Sequence, residues 1–586
     1  DSIISNGYGI IYYASHLLVK KSIDNGYMVG SRGSIGSSLV ATMTDITEVN
    51  PLPPHYFCAD CHFSDFEIDP SVRSGYDLES RHCPNCQQPM QGDGQNIPFE
   101  TFLGFEGDKV PDIDLNFSSQ FQEHAHAHTK EIFGETKVLR AGTIGTVAEK
   151  TAFGYVSGYF ENVPTAKGPH DAYKEYLAHG CQGMKRTTGQ HPGGILVIPQ
   201  DMDVFDFTPV QYPANNPNSQ WMTSHYEFHD IHDNILKLDI LGHIDPTAMK
   251  FLEDISGIDV RKIPMNDEPT LSLFTTTKAL KLDERKSLDK NGAAGLPEFG
   301  TPFVRRMLDI AQPKTFSDLV QVTGLAHGTN VWANNAQELI TKDGLSLQDV
   351  IGCRDDIMTE MIAKGLDPKL SFQIMEDVRK GRKLSTTMIS EMKKHQVPDW
   401  YIESCDVIQY LFPKAHAVAY CMMGFRVAWF KVHHPLAYYA QYFSLRAEAF
   451  ELNTMLKGVD AMIHRIEDIS SRLNIYNEHR ATTKERNILA TLEVAVEMYL
   501  RGYSFSNFDV RTAPATQFSL DPQDDMALMI PFNAIDGLGS GVALSIVEAR
   551  EHHEFISIED IASRSQITQT SLEAIRMLGG LTGLQE

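Results

Sequence analysis

The stretch Lys109–Phe117, KVPDIDLNF, decides how the rest of the chain is read. Val110, Ile113, Leu115 and Phe117 mark a strand-like alternation around Pro111, and a period of two puts Asp112 and Asp114 on one face. A third acid, Asp239, lies in ILKLDIL (Ile235–Leu241), among apolar residues that read as a buried strand, where an unpaired charge is expensive. A bound cation makes such acids tolerable. Two-metal nucleotidyl transfer needs carboxylates on adjacent strands holding two hard cations about 4 Å apart. One cation activates the attacking hydroxyl and the other neutralises the leaving pyrophosphate. A DxD pair on a strand also fits a surface edge balanced by cross-strand lysines. Three acids in apolar strand contexts, with a Gly/Ser loop upstream, favour the metal reading.

That loop is GSRGSIGSS, Gly30–Ser38. Its glycines, serines and single arginine let backbone N–H groups and hydroxyls surround a phosphate. It lacks the GxxxxGK[ST] spacing of a P-loop NTPase. Gly30, Ser31, Arg32, Gly33, Ser34, Gly36 and Ser37 are the candidate nucleotide contacts, with a flexible turn as the plain alternative.

The 586 residues carry 51 Lys+Arg against 76 Asp+Glu, a net charge of −25. This argues against a simple electrostatic binder of nucleic acid or anionic membrane, so a polyanion must be met by local basic patches. Three acid-poor stretches offer them. MKRTTGQHPGG carries Lys185, Arg186 and His191; CRDDIM carries Arg354, whose case the following Asp355 and Asp356 weaken; and Phe412–Pro435 carries Lys414, His416, Arg426 and Lys431 without a single Asp or Glu.

At about 150 residues per domain, this length predicts about four domains. With 42% hydrophobic and 22% charged residues there is material for ordinary globular cores. No apolar run reaches about 18 residues, so no membrane span is expected. The opening DSIISNGYGI has neither an initiator Met nor a signal-peptide pattern and reads as the interior of a longer protein.

CADC (Cys58, Cys61) and CPNC (Cys83, Cys86) are separated by 21 residues, just beyond the usual spacing of a zinc ribbon, with a redox dithiol or unligated cysteines as the alternatives. Four thiolates suit one tetrahedral, structural Zn²⁺ in a reducing compartment, and a cytoplasmic location is expected. Cys181, Cys353, Cys405 and Cys421 read as core thiols. HAHAH (His124, His126, His128) spreads its rings over different faces of a helix, so no metal site is expected there. AIDGLGSGVALSIVEAR has the pattern of a helix–hairpin–helix around Gly537, Leu538 and Gly539, whose N–H groups can meet a DNA phosphate without reading sequence. A Gly cap between core helices is the alternative. MLGGLTGL is a weaker second copy. Residues 120–182 read as helical, inserted between strands of one sheet, and Ala415–Phe443 reads as a long apolar helical run.

Taken together, these stretches resemble the catalytic portion of the C-family DNA polymerase III α subunits of the PolC type, from low-GC Gram-positive bacteria. The likeness is carried by GYMVGSRGSIGSS, the four-cysteine insertion, FETFLGFEGDKVPDIDLNF, RAGTIGTVAEKTAFGY, KRTTGQHPGG, HDNILKLDILGH, LPEFGTPFVRRML, GLAHGTNVWANNAQELI, GCRDDIM and FPKAHAVAYCMMGFRVAWFKVHHP. It implies a multidomain α+β protein. Its parts are a polymerase-β-like nucleotidyltransferase palm (1–49, 99–144 and 183–245), a zinc-binding insertion (50–98), a helical thumb (145–182) and fingers (246–447). A duplex-binding domain with helix–hairpin–helix motifs (448–586) follows. The resemblance puts Asp112, Asp114 and Asp239 at the catalytic positions holding two Mg²⁺, and the Gly/Ser loop at the triphosphate. Lys185, Arg186, Arg354, Lys414 and His416 are further nucleotide candidates, and Arg305, Arg306 and His327 also fall in matching stretches.

The implied activity is template-directed addition of dNTPs to a primer 3′-hydroxyl in chromosomal replication, with primer–template DNA, the sliding clamp and the clamp loader as the family's partners and no membrane. The family's N-terminal nucleic-acid-binding region, its phosphatase-like domain, its proofreading exonuclease and its clamp-binding peptide have no counterpart in these residues. A metal-dependent nuclease would use the same acids but has no purpose for a triphosphate loop. A non-catalytic DNA-binding scaffold would leave the strand-borne acids unexplained.

Overall fold

The strand expected around the aspartates begins at Asp114, and the chain builds a sheet outward from it. The computed structural model describes every residue except 108, 110, 164–169, 214–215, 232–234, 283–287, 475–478 and 586. Val110, one of the apolar alternation, lies outside the described residues. The chain forms two units: Gly9–Val29 with Ile113–His243, and Asp1–Tyr8 with Gly30–Asp112 and Ile244–Glu586.

The first of these units is a sheet with helices. Its described strands are β1 (Asp114–Ser118), β2 (Val138–Thr146), β3 (Lys185–Val197), β4 (Val210–Gln211), β5 (Thr223–Glu227) and β6 (Leu236–His243). They run in the order β1-β6-β3-β2-β5-β4. β1 and β6 are parallel, and β6 pairs antiparallel with β3. Ile113, Leu115 and Phe117 are buried as expected and Asp114 is half-buried, but Asn116 and Ser118 are buried as well, so both faces of the strand are covered beyond Asp114. A core of Leu139, Ala141, Leu196, Ile198, Ile231 and Ile235 lies on the sheet.

The expectation of helix throughout 120–182 needs correction. Helix Gln122–Phe133 is followed by strand β2, and only then come the helices Glu149–Asn162 and Asp171–Cys181. β2 hides because its sequence, VLRAGTIGT, is interrupted by glycines. A Cβ on Gly142 would lie 2.1 Å from the Ser224 carbonyl oxygen, so the close approach of the neighbouring strand demands glycine there. The helical pair therefore sits between β2 and β3, which pair with each other, and packs on its own small core of Val147, Ala152, Val156 and Ala178.

The second unit is mainly helical. Ala415–Phe443 is two helices, Lys414–His433 and Pro435–Leu445, because Pro435 cannot continue the first. Arg426 and Lys431, read as possible phosphate contacts, are instead interior ion pairs. Arg426 meets Glu48 in a two-pronged contact at 2.8 and 2.9 Å. Lys431 Nζ lies 2.9 Å from Glu497 and donates to the Gly292 and Ala294 carbonyls. A buried charge persists only when paired and hydrogen-bonded in this way. Among the described residues, no helix is long and apolar enough to cross a membrane.

Candidate active site

β1 and β6 place Asp114 and Asp239 as direct partners across a parallel pair. Asp112 precedes the strand rather than lying within it, yet one carboxylate oxygen from each of Asp112, Asp114 and Asp239 falls within 4.8 Å of the others. Three like charges this close repel unless a cation intervenes. On Asp239, Oδ2 is 2.7 Å from Lys237 Nζ, whereas Oδ1 is buried and finds no hydrogen-bond donor among the described residues. An all-oxygen donor set with an orphaned inward oxygen fits a hard divalent cation. Lys237, which the sequence reading passed over, shares a face with Asp239 by the period of two and sits 4.6 Å over the Phe228 ring. His191 Nδ1 lies 3.9 Å from Asp239 Oδ1 and accepts hydrogen bonds from Gly194 N and Gly193 N at 2.7 and 3.3 Å. Lys185 and Arg186 are exposed at the start of β3, with Arg186 5.5 Å over the Tyr155 ring.

In the other unit, the Gly/Ser loop packs against the start of helix Lys414–His433. Gly33 N donates to His416 Nδ1 at 3.3 Å, which assigns the ring proton to Nε2. A Cβ on Gly36 would stand 3.0 Å from Val49 Cβ and 3.1 Å from Ala415 Cβ, so glycine allows the loop to sit this near the helix. Gly33 itself has φ +71°, a conformation that L side chains rarely adopt. The ring of His416 packs on Phe412, Tyr420 and His327, and His327 Nε2 is 2.6 Å from Glu298.

Some of the expected nucleotide contacts turn inward. Ser31 Oγ bonds Thr47 Oγ1 and Ser37 Oγ bonds Thr101 Oγ1, so these hydroxyls, like Gly36, shape the loop from beneath. Gly30, Arg32, Gly33 and Ser34 remain half-exposed. Arg354 is 4% exposed and donates through Nη2 to the Thr101 carbonyl at 2.8 Å, so in this arrangement it supports the loop through Thr101 rather than facing a ligand. The Lys414 backbone N donates to Asp355 Oδ2, and burial, outweighing the attraction of Asp356, holds its amine below the usual lysine range.

The four-cysteine insertion is built by two matching turns. Cys58 N donates to Phe63 O and His62 N to Cys58 O; Cys83 N donates to Gln88 O and Gln87 N to Cys83 O. His62 and Gln87 take φ of 60° and 62° at equivalent places in the two turns. The four Sγ atoms lie within 4.8 Å of one another, with Cys58–Cys86 at 3.4 Å and Cys61–Cys83 at 3.5 Å, close to the ~3.8 Å edge of a tetrahedral Zn–thiolate site. Although burial raises the Cys83 thiol, the N–H groups of Cys86 and Asn85 bring it down to about 7. The insertion also reaches a helix of the same unit: the Asp77 carboxylate accepts from Phe316 N and Ser317 N at 2.7 and 3.1 Å, capping helix Phe316–His327.

Near the C-terminus, Gly537 (φ +80°) and Gly539 flank the buried Leu538 at the start of helix Ser540–His552, and a Cβ on either glycine would meet nothing within 4 Å. Bare backbone is thus presented at a helix N-terminus, the arrangement that suits a phosphate.

Comparison with known proteins gives the family. The family model described as the bacterial DNA polymerase III alpha NTPase domain matches residues 1–166 and 157–242. The model of the bacterial DNA polymerase III alpha subunit finger domain matches 243–396, and a helix-hairpin-helix motif matches 502–586. Among curated proteins, the DNA polymerase III PolC-type of Oceanobacillus iheyensis is 55% identical over 590 residues, that of Bacillus subtilis 54% over 586, and that of Staphylococcus aureus 53% over 585. Each match covers 100% of this chain and 40% of the relative's length. With polymerase III models dividing residues 1–396 between them and relatives matched along its whole length, the chain belongs to the PolC-type family of bacterial DNA polymerase III.

Proposed function

We propose that this chain carries out template-directed DNA synthesis, extending a primer 3′-hydroxyl with dNTPs. The observation that carries this reading is the convergence of Asp112, Asp114 and Asp239, with Asp114 and Asp239 in register on parallel strands. In this reading the sheet is a polymerase-β-like palm, 145–182 the thumb, 246–447 the fingers and 448–586 the duplex-binding part. Bound by the three carboxylates, two Mg²⁺ supply activation of the primer hydroxyl and charge neutralisation at the leaving pyrophosphate. Lys237 balances Asp239 and keeps the acidic face from splaying. Gly30, Arg32 and Ser34 cradle the triphosphate with backbone N–H groups, and Gly33, whose own N–H is given to His416 Nδ1, holds the loop in place. Cys58, Cys61, Cys83 and Cys86 hold one structural Zn²⁺, and the hairpin at Gly537–Gly539 grips duplex phosphates. None of the eight cysteines, all of them described, forms a disulfide, which supports a reducing compartment.

The test is primer extension by the purified chain with four dNTPs in Mg²⁺ or EDTA, beside an Asp112→Asn/Asp114→Asn variant. Metal-dependent extension that the variant loses is the expected result. Extension that survives in the variant would overturn the assignment.

A further inference from the structure

The histidine motif His124–His128 packs against the sheet that carries the acids. Of its three rings only His126 is buried, at 3% exposure. Its Nδ1 lies 3.0 Å from Arg140 Nη1 and its Nε2 3.2 Å from the Ile240 carbonyl oxygen. A guanidinium only donates, so Nδ1 accepts and Nε2 carries the proton given to Ile240. Arg140 also donates through Nη2 to the carbonyls of His191 and Pro192, both at 2.8 Å. Gln122, one turn before His126, donates through Nε2 to Ile240 O at 2.9 Å and to Pro192 O at 3.1 Å.

The place of these bonds gives them meaning. The antiparallel pairing of β6 with β3 ends at Asp239 opposite Gly194. Beyond that point the strands are no longer joined by their own ladder, and Gln122, His126 and Arg140 join them through side chains. The clasp holds the carbonyl of Ile240, the residue after Asp239, and the two carbonyls of His191 and Pro192, whose loop sets the imidazole beside Asp239 Oδ1.

We propose that His126, with Arg140 and Gln122, is a positioning residue for Asp239, fixing the end of β6 so that the carboxylate is aimed at the divalent cation. This rests on the polymerase reading of the triad. The three act through the backbone on either side of the acid. Groups that orient a metal-binding carboxylate change metal affinity by about 10- to 100-fold when lost.

The experiment measures binding of Mn²⁺ alone to the full chain, by loss of its free-ion paramagnetic resonance signal, beside the Mg²⁺ dependence of extension. His126→Leu keeps the bulk and removes both hydrogen bonds; His126→Gln offers an acceptor and a donor in their place. We expect His126→Leu to weaken Mn²⁺ binding about tenfold and to raise the Mg²⁺ needed for half-maximal extension by a similar factor, with the primer–template KM unchanged. His126→Gln should recover most of both. Gln122→Met, at a half-buried position, removes two donations and should shift Mn²⁺ binding in the same direction even if His126→Leu does not fold. Unchanged Mn²⁺ affinity in Gln122→Met and in folded His126→Leu, or equal loss in the Leu and Gln variants, would overturn the proposal. Separately, an Asp239→Asn variant that binds Mn²⁺ as tightly as the unaltered chain would overturn the reading of the triad itself, and the positioning role with it.

Discussion

Asp114 and Asp239 stand directly opposite one another on parallel strands β1 and β6, with Asp239 also opposite Gly194 of β3. Neighbouring strands are about 4.8 Å apart, so two carboxylates in this register share one small volume. Glycine on the third strand makes room for the His191 ring, since a Cβ on Gly194 would lie 2.9 Å from His191 Nδ1. Like charges held this way destabilise the sheet until a cation joins them.

Replacing any one of Asp112, Asp114 or Asp239 by Asn should therefore lower extension by more than about 100-fold, the loss of several kcal/mol of transition-state stabilisation, and leave duplex binding intact. The same changes should act oppositely on stability without metal. In EDTA the Asp114→Asn variant should melt no lower than the unaltered chain, whereas Mg²⁺ should raise the melting temperature of the unaltered chain alone. Differential scanning calorimetry with and without Mg²⁺ checks both signs.

His126 predicts a pH effect on folding. Burial, and then the neighbouring Arg140, brings it to about 4, whereas an unfolded histidine titrates near 6.5. As pH falls, the unfolded chain takes up the proton first, so stability is lost between about 6.5 and 4 and levels off below. The total reaches up to about 3 kcal/mol for this one group. Chemical denaturation at pH 7, 6 and 5 should show this decline in the unaltered chain and a smaller one in His126→Gln; equal slopes would contradict it.

Asp77 ties the cysteine insertion to helix Phe316–His327, which ends at the His327 ring against His416. Asp77→Ala removes the acceptor for two helix N-terminal donors and should cost about 1–2 kcal/mol. Stripping the metal from the four cysteines should open residues 50–98 to protease and lower thermal stability. Limited proteolysis after chelation, with metal loss verified, reads this directly, and an unchanged cleavage pattern would count against a structural zinc.

Gly36 sits where a Cβ would press on Val49 and Ala415. Gly36→Ala should push the Gly/Ser loop away from helix Lys414–His433, strain the Gly33–His416 hydrogen bond and raise the dNTP KM several-fold. Primer–template affinity should not move. Steady-state extension with dNTP and template varied in turn separates the two constants.

Much of the site was legible along the chain because its information is local. The two CxxC turns carry their own geometry, and the apolar residues of KVPDIDLNF mark Ile113, Leu115 and Phe117 for the core, although Asp112 lies before the strand and strand period does not account for its place beside Asp114. Strand β2 was not legible, because Gly142 answers to Ser224 on a distant strand rather than to any local preference. Lys237 was overlooked although its spacing from Asp239 already placed it on the acidic face.

What the sequence by itself determined is which residues have the chemistry: the acids in apolar strands, the paired thiols and the glycine-rich loop, each encoded within a few consecutive residues. Only the tertiary structure decided which of them meet. Basic residues look alike in a sequence, but Arg426 and Lys431 found Glu48 and Glu497 in the interior, and Arg354 turned to the Thr101 carbonyl. His126 came to hold the backbone beside Asp239. The physical reason is that hydrogen bonds and ion pairs are satisfied by whatever partner packing brings within about 3 Å, and that distance is set by strand register and helix docking, not by separation along the chain.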